Sequence, residues 1–377
     1  MRISPTLTEM ATYPFVRLEE ERRRLEADGV PVIDFGKGDP NEPTDPRIRQ
    51  ALVENLTERS SYPLAQGLPE LRAAVARWAE RRFGVGLDPD TEIVPTLGSK
   101  EAIFSAAQVL VDPRSDKRLV LYTEPGYPVY ERGALFAGAE PVALPLRAEN
   151  GFLPDLDAVA DDTWRRTAIL WVNYPNNPTG ATASLDFYER VAELAARWDF
   201  ALASDEAYSE LWFDEPPVSA LQVADRRQVV VFQTLSKRSS MTGYRSGFVA
   251  AAPEVIAALK AFRPTVGTAP QEFVQRASVV AWDDEEHVAR ARETYRRKRE
   301  LLLGALERRG YRVLGSRAGM YLWVEASPEV VPRLLERGVV VSPGEFFGPS
   351  GAGYVRFALV PTEDECRRAA TILEEVL

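Results

Sequence analysis

The stretch TAILWVNYPNNPTGATASLDFYERVAELAARWDFALASDEAY, residues 167–208, decides the fold. It opens on an apolar run, TAILWVN, and breaks in the turn YPNNPTG. It continues as the amphipathic run SLDFYERVAELAARW and closes on a second apolar run, FALASDE. Two short apolar runs joined by a helical crossover make a pair of parallel strands buried on both faces. The same alternation extends both ways. Upstream, EIVPTLGS leads into KEAIFSAAQVL, and KRLVLY leads into EPGYPVYERGALFAG; downstream, QVVVFQTLS is a further strand. The chain therefore reads as α/β, with a mostly parallel central sheet in a large domain. Ligands bind such sheets outside the carboxyl ends of the strands.

The flanks read differently. The first forty residues suggest an arm: a charged helix at 17–27, then VPVIDFGKGDPNEP, a short strand breaking into Gly/Pro turns. Helices are expected at 46–57 and at Pro69–Phe83, the second opened by a proline followed by glutamate. Beyond Phe262, one long polar helical stretch at 272–309 precedes GYRVLGSRAGMYLWVE, GVVVSPGEFFG and AGYVRFALV, and a last helix starts near Thr362. This mixture suggests a smaller α+β domain. The expected division is an N-terminal arm with part of the small domain at 1–45, a large domain at 46–265 and a small C-terminal domain at 266–377.

Bulk properties narrow the function. In 377 residues, 45% hydrophobic and 27% charged, the composition is that of a folded globular chain. A net charge of −10 disfavours nucleic-acid binding. One cysteine, Cys366, permits no intrachain disulfide, and no apolar stretch is long enough to span a bilayer. The protein is expected to be soluble and cytoplasmic, with no membrane or nucleic-acid partner. The only histidine, His287, lies in the charged run WDDEEHVARARETYRRKRE and reads as a solvated surface residue. That leaves no visible setting for a Ser-His-Asp triad or a histidine metal site, and no metal is expected.

Chemistry gathers where strands end. TLSKRSSMTGYRSGF, 234–248, puts Lys237 just past an apolar strand, with Thr234, Ser236 and Arg245 beside it. A lysine there can be a solvated turn residue. With hydroxyls and a planar guanidinium close by, it can also be the amine that condenses with a phosphorylated aldehyde whose phosphate the neighbours hold. SDEAY ends another strand on Asp205, either a helix cap or a buried carboxylate for a pyridine nitrogen, with Tyr208 three residues on as a hydrogen-bond donor to the same ring. Asn177, in a segment otherwise typical of turns, can hydrogen-bond the ring's phenolic oxygen. LGSKEAI forms a strand–turn–helix junction whose N–H groups around Ser99 and Lys100 can receive phosphate, and Tyr127 offers a stacking face. Arg356, within the apolar strand YVRFALV, suits bidentate capture of a carboxylate.

Taken in order, FGKGDP, SYPLAQGLPELR, LGSKEA, EPGYPVY, NYPNNPTG, SDEAYSE, SKRSSMTGYRSGF and YVRFALV resemble the class I/II aminotransferases, fold type I of the pyridoxal 5'-phosphate (PLP) enzymes. The resemblance runs from about residue 35 to 360. It implies that Lys237 carries the cofactor and moves the proton, and that Asp205 pairs with the pyridine nitrogen. Asn177 and Tyr208 would address the phenolic oxygen, with Tyr127 stacked on the ring. Ser99, Lys100, Thr234, Ser236 and Arg245 would surround the phosphate. Tyr62 would reach the phosphate of a neighbouring subunit, making the enzyme a homodimer with active sites at the interface. Arg356 would bind the substrate carboxylate with Gly38 near it, and Asn177 would also touch substrate. Ping-pong transfer between an amino acid and a 2-oxo acid follows. Lys100 and Arg238 are unusual for the family and could meet a distal substrate group; with SKRSSMTGYRSGF they look closest to succinyldiaminopimelate aminotransferases of bacterial lysine synthesis. Aspartate, alanine, aromatic and LL-diaminopimelate aminotransferases are the alternatives within the family, and a PLP-dependent carbon–sulfur lyase is the alternative outside it.

Overall fold

In a computed structural model, residues 1–8, 15–59 and 61–377 are described, with the side chains of Phe15 and Arg17 set aside. Ser60, in the turn-rich segment that precedes Tyr62, lies outside the described residues. The short strand β1 (Ile33–Asp34) comes first. Seven strands follow: β2 (Ile93–Thr96), β3 (Leu119–Glu124), β4 (Glu140–Pro145), β5 (Thr167–Asn173), β6 (Ala201–Asp205), β7 (Val229–Thr234) and β8 (Gly247–Ala251). They form one sheet in the order β2-β8-β7-β6-β5-β3-β4, parallel except for β8, which runs antiparallel to both its neighbours. β5 and β7 are buried along their whole length, as their near-continuous apolar sequences require.

The crossover unit at 167–208 is as the sequence predicts. Ser184 accepts a hydrogen bond from the Phe187 N–H to start the helix Leu185–Trp198, and Asp199 ends it in the left-handed conformation. Its apolar stripe, Phe187, Tyr188, Val191, Ala192 and Ala195, is buried against the sheet. The parallel register of β5 on β6 sets Asn173 directly beside Asp205 at the carboxyl edge. A second helix layer packs through Trp78, whose ring meets Phe83, Phe248 and Trp282 at centroid distances of 5.4, 5.8 and 4.8 Å.

Strands β9 (Arg312–Leu314), β10 (Tyr321–Glu325), β11 (Val339–Val340), β12 (Ser342–Pro343) and β13 (Tyr354–Ala358) complete the set. An antiparallel sheet of order β12-β13-β10-β9 has its own apolar core, while β1 pairs in parallel with β11. The N-terminal segment is thus stitched to the C-terminal one. The Ala358 N–H donates to the Phe35 carbonyl, which joins Phe35 to the end of β13.

Two expectations are corrected. The polar stretch at 272–309 is two helices, Glu272–Asp283 and Glu286–Arg308, because Asp284 turns extended and its carboxylate accepts the N–H groups of Glu286 and His287. His287 is also no surface residue. It is 6% exposed, with Nδ1 2.5 Å from Asp284 Oδ2 and Nε2 2.8 Å from Ser239 Oγ. Burial, reinforced by the Arg238 cation, pushes its pKa down against the pull of Asp284. These three residues stand in the order of a Ser-His-Asp relay, which the sequence did not disclose. Ser239 is only 3% exposed and Asp284 is committed to the cap, so the chain of bonds ties a helix to the loop after Lys237.

Among the described residues no helix is long and apolar enough to cross a membrane, and no group of three His, Cys, Asp or Glu residues could hold a metal ion. Replacing Trp78 by alanine removes the indole common to three ring contacts. The expected cost is about 3–5 kcal/mol, read as a lower urea midpoint; an unchanged midpoint would show that the ring cluster contributes little.

Candidate active site

The carboxyl edge of the central sheet opens on a cavity of about 490 Å³. Its wall holds Gly38, Ser99, Lys100, Tyr127, Asn177, Asp205, Tyr208, Thr234, Ser236, Lys237, Arg245 and Arg356. Two of the residues singled out in the sequence stand apart. Tyr62 is fully exposed and is not part of this wall. Arg238 faces the opposite way: its guanidinium donates to the Ala281 carbonyl and to Glu285 and lies 5.1 Å from the Trp282 ring centre. The cause is helical geometry. Lys237 and Arg238 are consecutive in the turn Leu235–Arg238, so their side chains diverge by roughly 100°.

Asp205 anchors one end. Its side chain is 4% exposed, accepting a 2.8 Å bond from the Tyr130 hydroxyl and a longer one from the Ala207 N–H. Burial raises its pKa to about 6, while those two donors hold it down. A carboxylate in this position is completed by a cation arriving from the cavity. Asn173 steadies the strand end by donating to the Asp205 carbonyl, and its own Oδ1 accepts from the Asn177 N–H.

The opposite end is basic and rich in N–H groups. The helix Ser99–Leu110 starts there from Gly98, which has a φ of 74°. That left-handed conformation favours glycine, and a Cβ there would come within 2.7 Å of an Arg245 nitrogen and push the guanidinium aside. Arg245 is itself left-handed, with a φ of 56°, and is braced by the Thr242 and Leu97 carbonyls. Thr234 and Ser236 bond to each other at 2.9 Å. A helix N-terminus, a guanidinium and two hydroxyls together have the donors to serve as a phosphate cradle.

Lys237 stands between the two ends, its amine donating to the Gly38 carbonyl. Burial lowers its pKa to about 8; Asp39 opposes this, and Arg356, Arg245 and Lys100 add to it. Lys100 is lowered as well, first by burial and then by Arg245 and Arg132. On the far wall Arg356, 1% exposed, donates to Asn177 Oδ1 at 2.9 Å and to the Gly36 carbonyl at 2.6 Å. Its guanidinium lies 4.5 Å from the ring centres of both Tyr321 and Phe347.

The sequence reading missed Tyr130, Asn173, Tyr321 and Phe347. Each sits in an apolar or turn segment where a core aromatic or a turn asparagine reads the same, and only the fold brings Asn173, Tyr321 and Phe347 to the cavity and Tyr130 to Asp205 behind it. Tyr130 lies three residues beyond Tyr127, at the start of the helix Val129–Phe136.

A buried amine of lowered pKa between a desolvated carboxylate and a phosphate cradle defines an enzyme built around a phosphorylated pyridine aldehyde. The model of the family "Aminotransferase class I and II" matches residues 30–373, and the chain belongs to that family of PLP-dependent transaminases. It is 40% identical to an LL-diaminopimelate aminotransferase of Aquifex aeolicus, over 96% of this chain and 95% of the relative. An aminotransferase crystal structure from Neisseria meningitidis superposes with a TM-score of 0.91 at 35% identity, covering both chains completely. A probable N-succinyldiaminopimelate aminotransferase from Thermus thermophilus gives 0.89 at 33% identity, covering 96% of this chain and all of that one.

A protonated amine cannot add to an aldehyde. Covalent capture of PLP by the cofactor-free protein should therefore accelerate with pH up to about 8 and level off above it, as followed by visible absorbance. Continued acceleration toward about 10.5, the ordinary lysine value, would show that the amine is unperturbed. Lys237→Ala should abolish capture and turnover.

Proposed function

We propose that this aminotransferase acts on diaminopimelate, exchanging its amino group with a 2-oxo acid, with free LL-diaminopimelate as the better substrate. The observation that carries this reading is the charge of the cavity wall, where Asp39 and Lys100 both stand. Lys37 is also there, but it is paired with Glu19. A distal amino-acid head carries an ammonium and a carboxylate, and a wall that offers it an acid, Asp39, and a base, Lys100, suits it. An N-succinyl group replaces that ammonium with an amide and adds a carboxylate, which Asp39 would repel. Arg238, the second cation that would favour the succinylated compound, points into the core instead. The similarity to proteins named LL-diaminopimelate aminotransferase supports the same choice. Lys100 and the Thermus neighbour support the succinylated compound as the second reading.

PLP, when bound, supplies an aldehyde to take the amino nitrogen and a ring to accept electrons from Cα. The chain's own residues do the rest. The Lys237 amine holds the cofactor, then takes the proton from Cα and returns it during transfer. Asp205 keeps a negative charge against the ring nitrogen, so that the ring stays cationic. Asn177 and Tyr208 donate to the phenolic oxygen, and Tyr127 covers the ring face. Thr234, Ser236, Arg245 and the N–H groups at Ser99 and Lys100 hold the phosphate. Arg356 pairs with the α-carboxylate, assisted by Asn177 and the bare backbone at Gly38. Fixing that carboxylate sets which Cα bond stands perpendicular to the ring, and so selects proton loss over decarboxylation.

The same reading includes a homodimer in which the exposed Tyr62 completes the neighbour's phosphate site. It also includes the division into arm, large domain and small domain at 1–45, 46–265 and 266–377. A cytoplasmic location suits a chain whose one cysteine, Cys366, is buried and free.

The visible-spectrum half-reaction tests the substrate. LL-diaminopimelate and glutamate should convert the bound cofactor rapidly, and the N-succinyl compound at least about tenfold more slowly. Preference for the succinylated compound would establish the second reading, and response to neither would move the enzyme to a sibling activity. Asp39→Asn should raise KM for LL-diaminopimelate about tenfold, with a smaller effect on glutamate. An equal effect on both would remove Asp39 from distal recognition.

A further inference from the structure

Tyr321 has no role in the chemistry described so far, yet its side chain is confined by Tyr208, Gly38 and Arg356. It lies 2.8 Å from the Tyr208 hydroxyl, with the two rings edge-on at 5.3 Å and 71°. A Cβ on Gly38 would come within 2.5 Å of it, so the glycine leaves the space that this hydroxyl fills. The Arg356 guanidinium covers the ring itself. The residue sits on β10, opposite Ala358 of β13, and is almost wholly buried apart from the cavity wall it contributes to.

We propose that Tyr321 is a positioning residue: it donates its hydroxyl proton to Tyr208, so that the Tyr208 proton is directed into the cavity toward the phenolic oxygen of the cofactor. The proposal rests on the role given above to Tyr208.

The direction of the bond follows from the charges nearby. Two hydroxyls in contact share one proton between them, and the more acidic one donates. Both tyrosines are raised by burial. For Tyr321, the cation of Arg356 is the strongest opposing influence and stabilises loss of the proton. For Tyr208, the neighbouring Tyr321 and the Asp205 carboxylate raise the pKa further, and Arg356 counts for less. With the Arg356 guanidinium 4.5 Å from its ring centre, Tyr321 is the hydroxyl assigned as donor, and Tyr208, having accepted, turns its own proton elsewhere. Consecutive hydrogen bonds of this kind strengthen one another in a dry site. A Tyr208 that accepts from Tyr321 is a better donor than one that does not.

A hydrogen bond to the phenolic oxygen stabilises its anion, and so lowers the pKa of the linkage between Lys237 and the bound cofactor. The test is a pH titration of the visible absorbance of the PLP-loaded full-length protein. Tyr321→Phe keeps the ring under Arg356 and removes only the hydroxyl. The titration midpoint is expected to rise by several tenths of a pH unit. Tyr208→Phe should raise it further, and the double variant should match Tyr208→Phe alone, because Tyr321 acts through Tyr208. Gly38→Ala, which crowds an intact Tyr321 hydroxyl, should shift the midpoint in the same direction. It serves as an independent check should Tyr321→Phe fold poorly.

An unmoved midpoint in Tyr321→Phe, or an additive shift in the double variant, overturns the proposal while leaving Tyr208 its role. A midpoint unmoved in Tyr208→Phe as well overturns both.

Discussion

The structure depends on a carboxylate kept dry at the end of a parallel strand. Asp205 is buried because β6 lies mid-sheet, between β5 and β7, with helices on both faces. Burial makes the charge costly and raises the pKa to about 6. Neutral donors, the Tyr130 hydroxyl and the Ala207 N–H, hold it, and that is enough to position it without neutralising it. Across the cavity the same desolvation acts on Lys237 with the opposite sign and brings its amine down to about 8. One environment therefore prepares an acid that remains charged against a cation and a base that can be neutral near physiological pH. A solvated cavity would leave both groups at their ordinary values.

A second constraint is the seam between the chain's two ends. Phe35 and Gly36 are bonded to β13 through the Ala358 N–H and the Arg356 guanidinium, and the Gly38 carbonyl accepts from Lys237. The segment is fixed further along by Glu42, whose carboxylate is 2.6 Å from the fully buried Lys298 amine. It carries Gly38 and Asp39 into the cavity wall. Loss of the Lys298–Glu42 pair would leave a lysine buried without its anion, a large penalty. The cavity wall thus draws on both ends of the sequence.

Much of this was legible beforehand, for physical reasons. Strand ends in parallel sheets concentrate function, so polar residues directly after apolar runs, Asp205, Asn177 and Lys237, were visible as a set. Arg356 stood out because an arginine in an apolar strand must find a partner. The missing pieces have no such contrast. Tyr130 and Tyr321 lie in apolar surroundings where any aromatic would pack, and their hydroxyl partners are 75 and 113 residues away. The break at Asp284 was hidden because it lies within the acidic run WDDEE, 282–286, which also reads as a solvated helix face. Hidden with it was His287, whose charged sequence neighbours face water while its ring turns inward to Ser239.

His287 and Arg238 belong to one argument about why the lysine is where it is. A catalytic amine on a flexible loop would sample many positions, and entropy would be lost each time it was ordered for reaction. Behind Lys237, Arg238 is fastened to the Ala281 carbonyl and to Glu285, and Ser239 is fastened to His287. Ahead of it, the Ser240 carbonyl accepts from Thr44, and Arg245 is braced by Thr242. The unusual arginine after the lysine therefore serves rigidity and is separated from specificity by a third of a helical turn. Its charge, and the only histidine, are placed on the side of the loop away from the cavity wall that Lys237 joins, where they hold the backbone that carries the Lys237 amine.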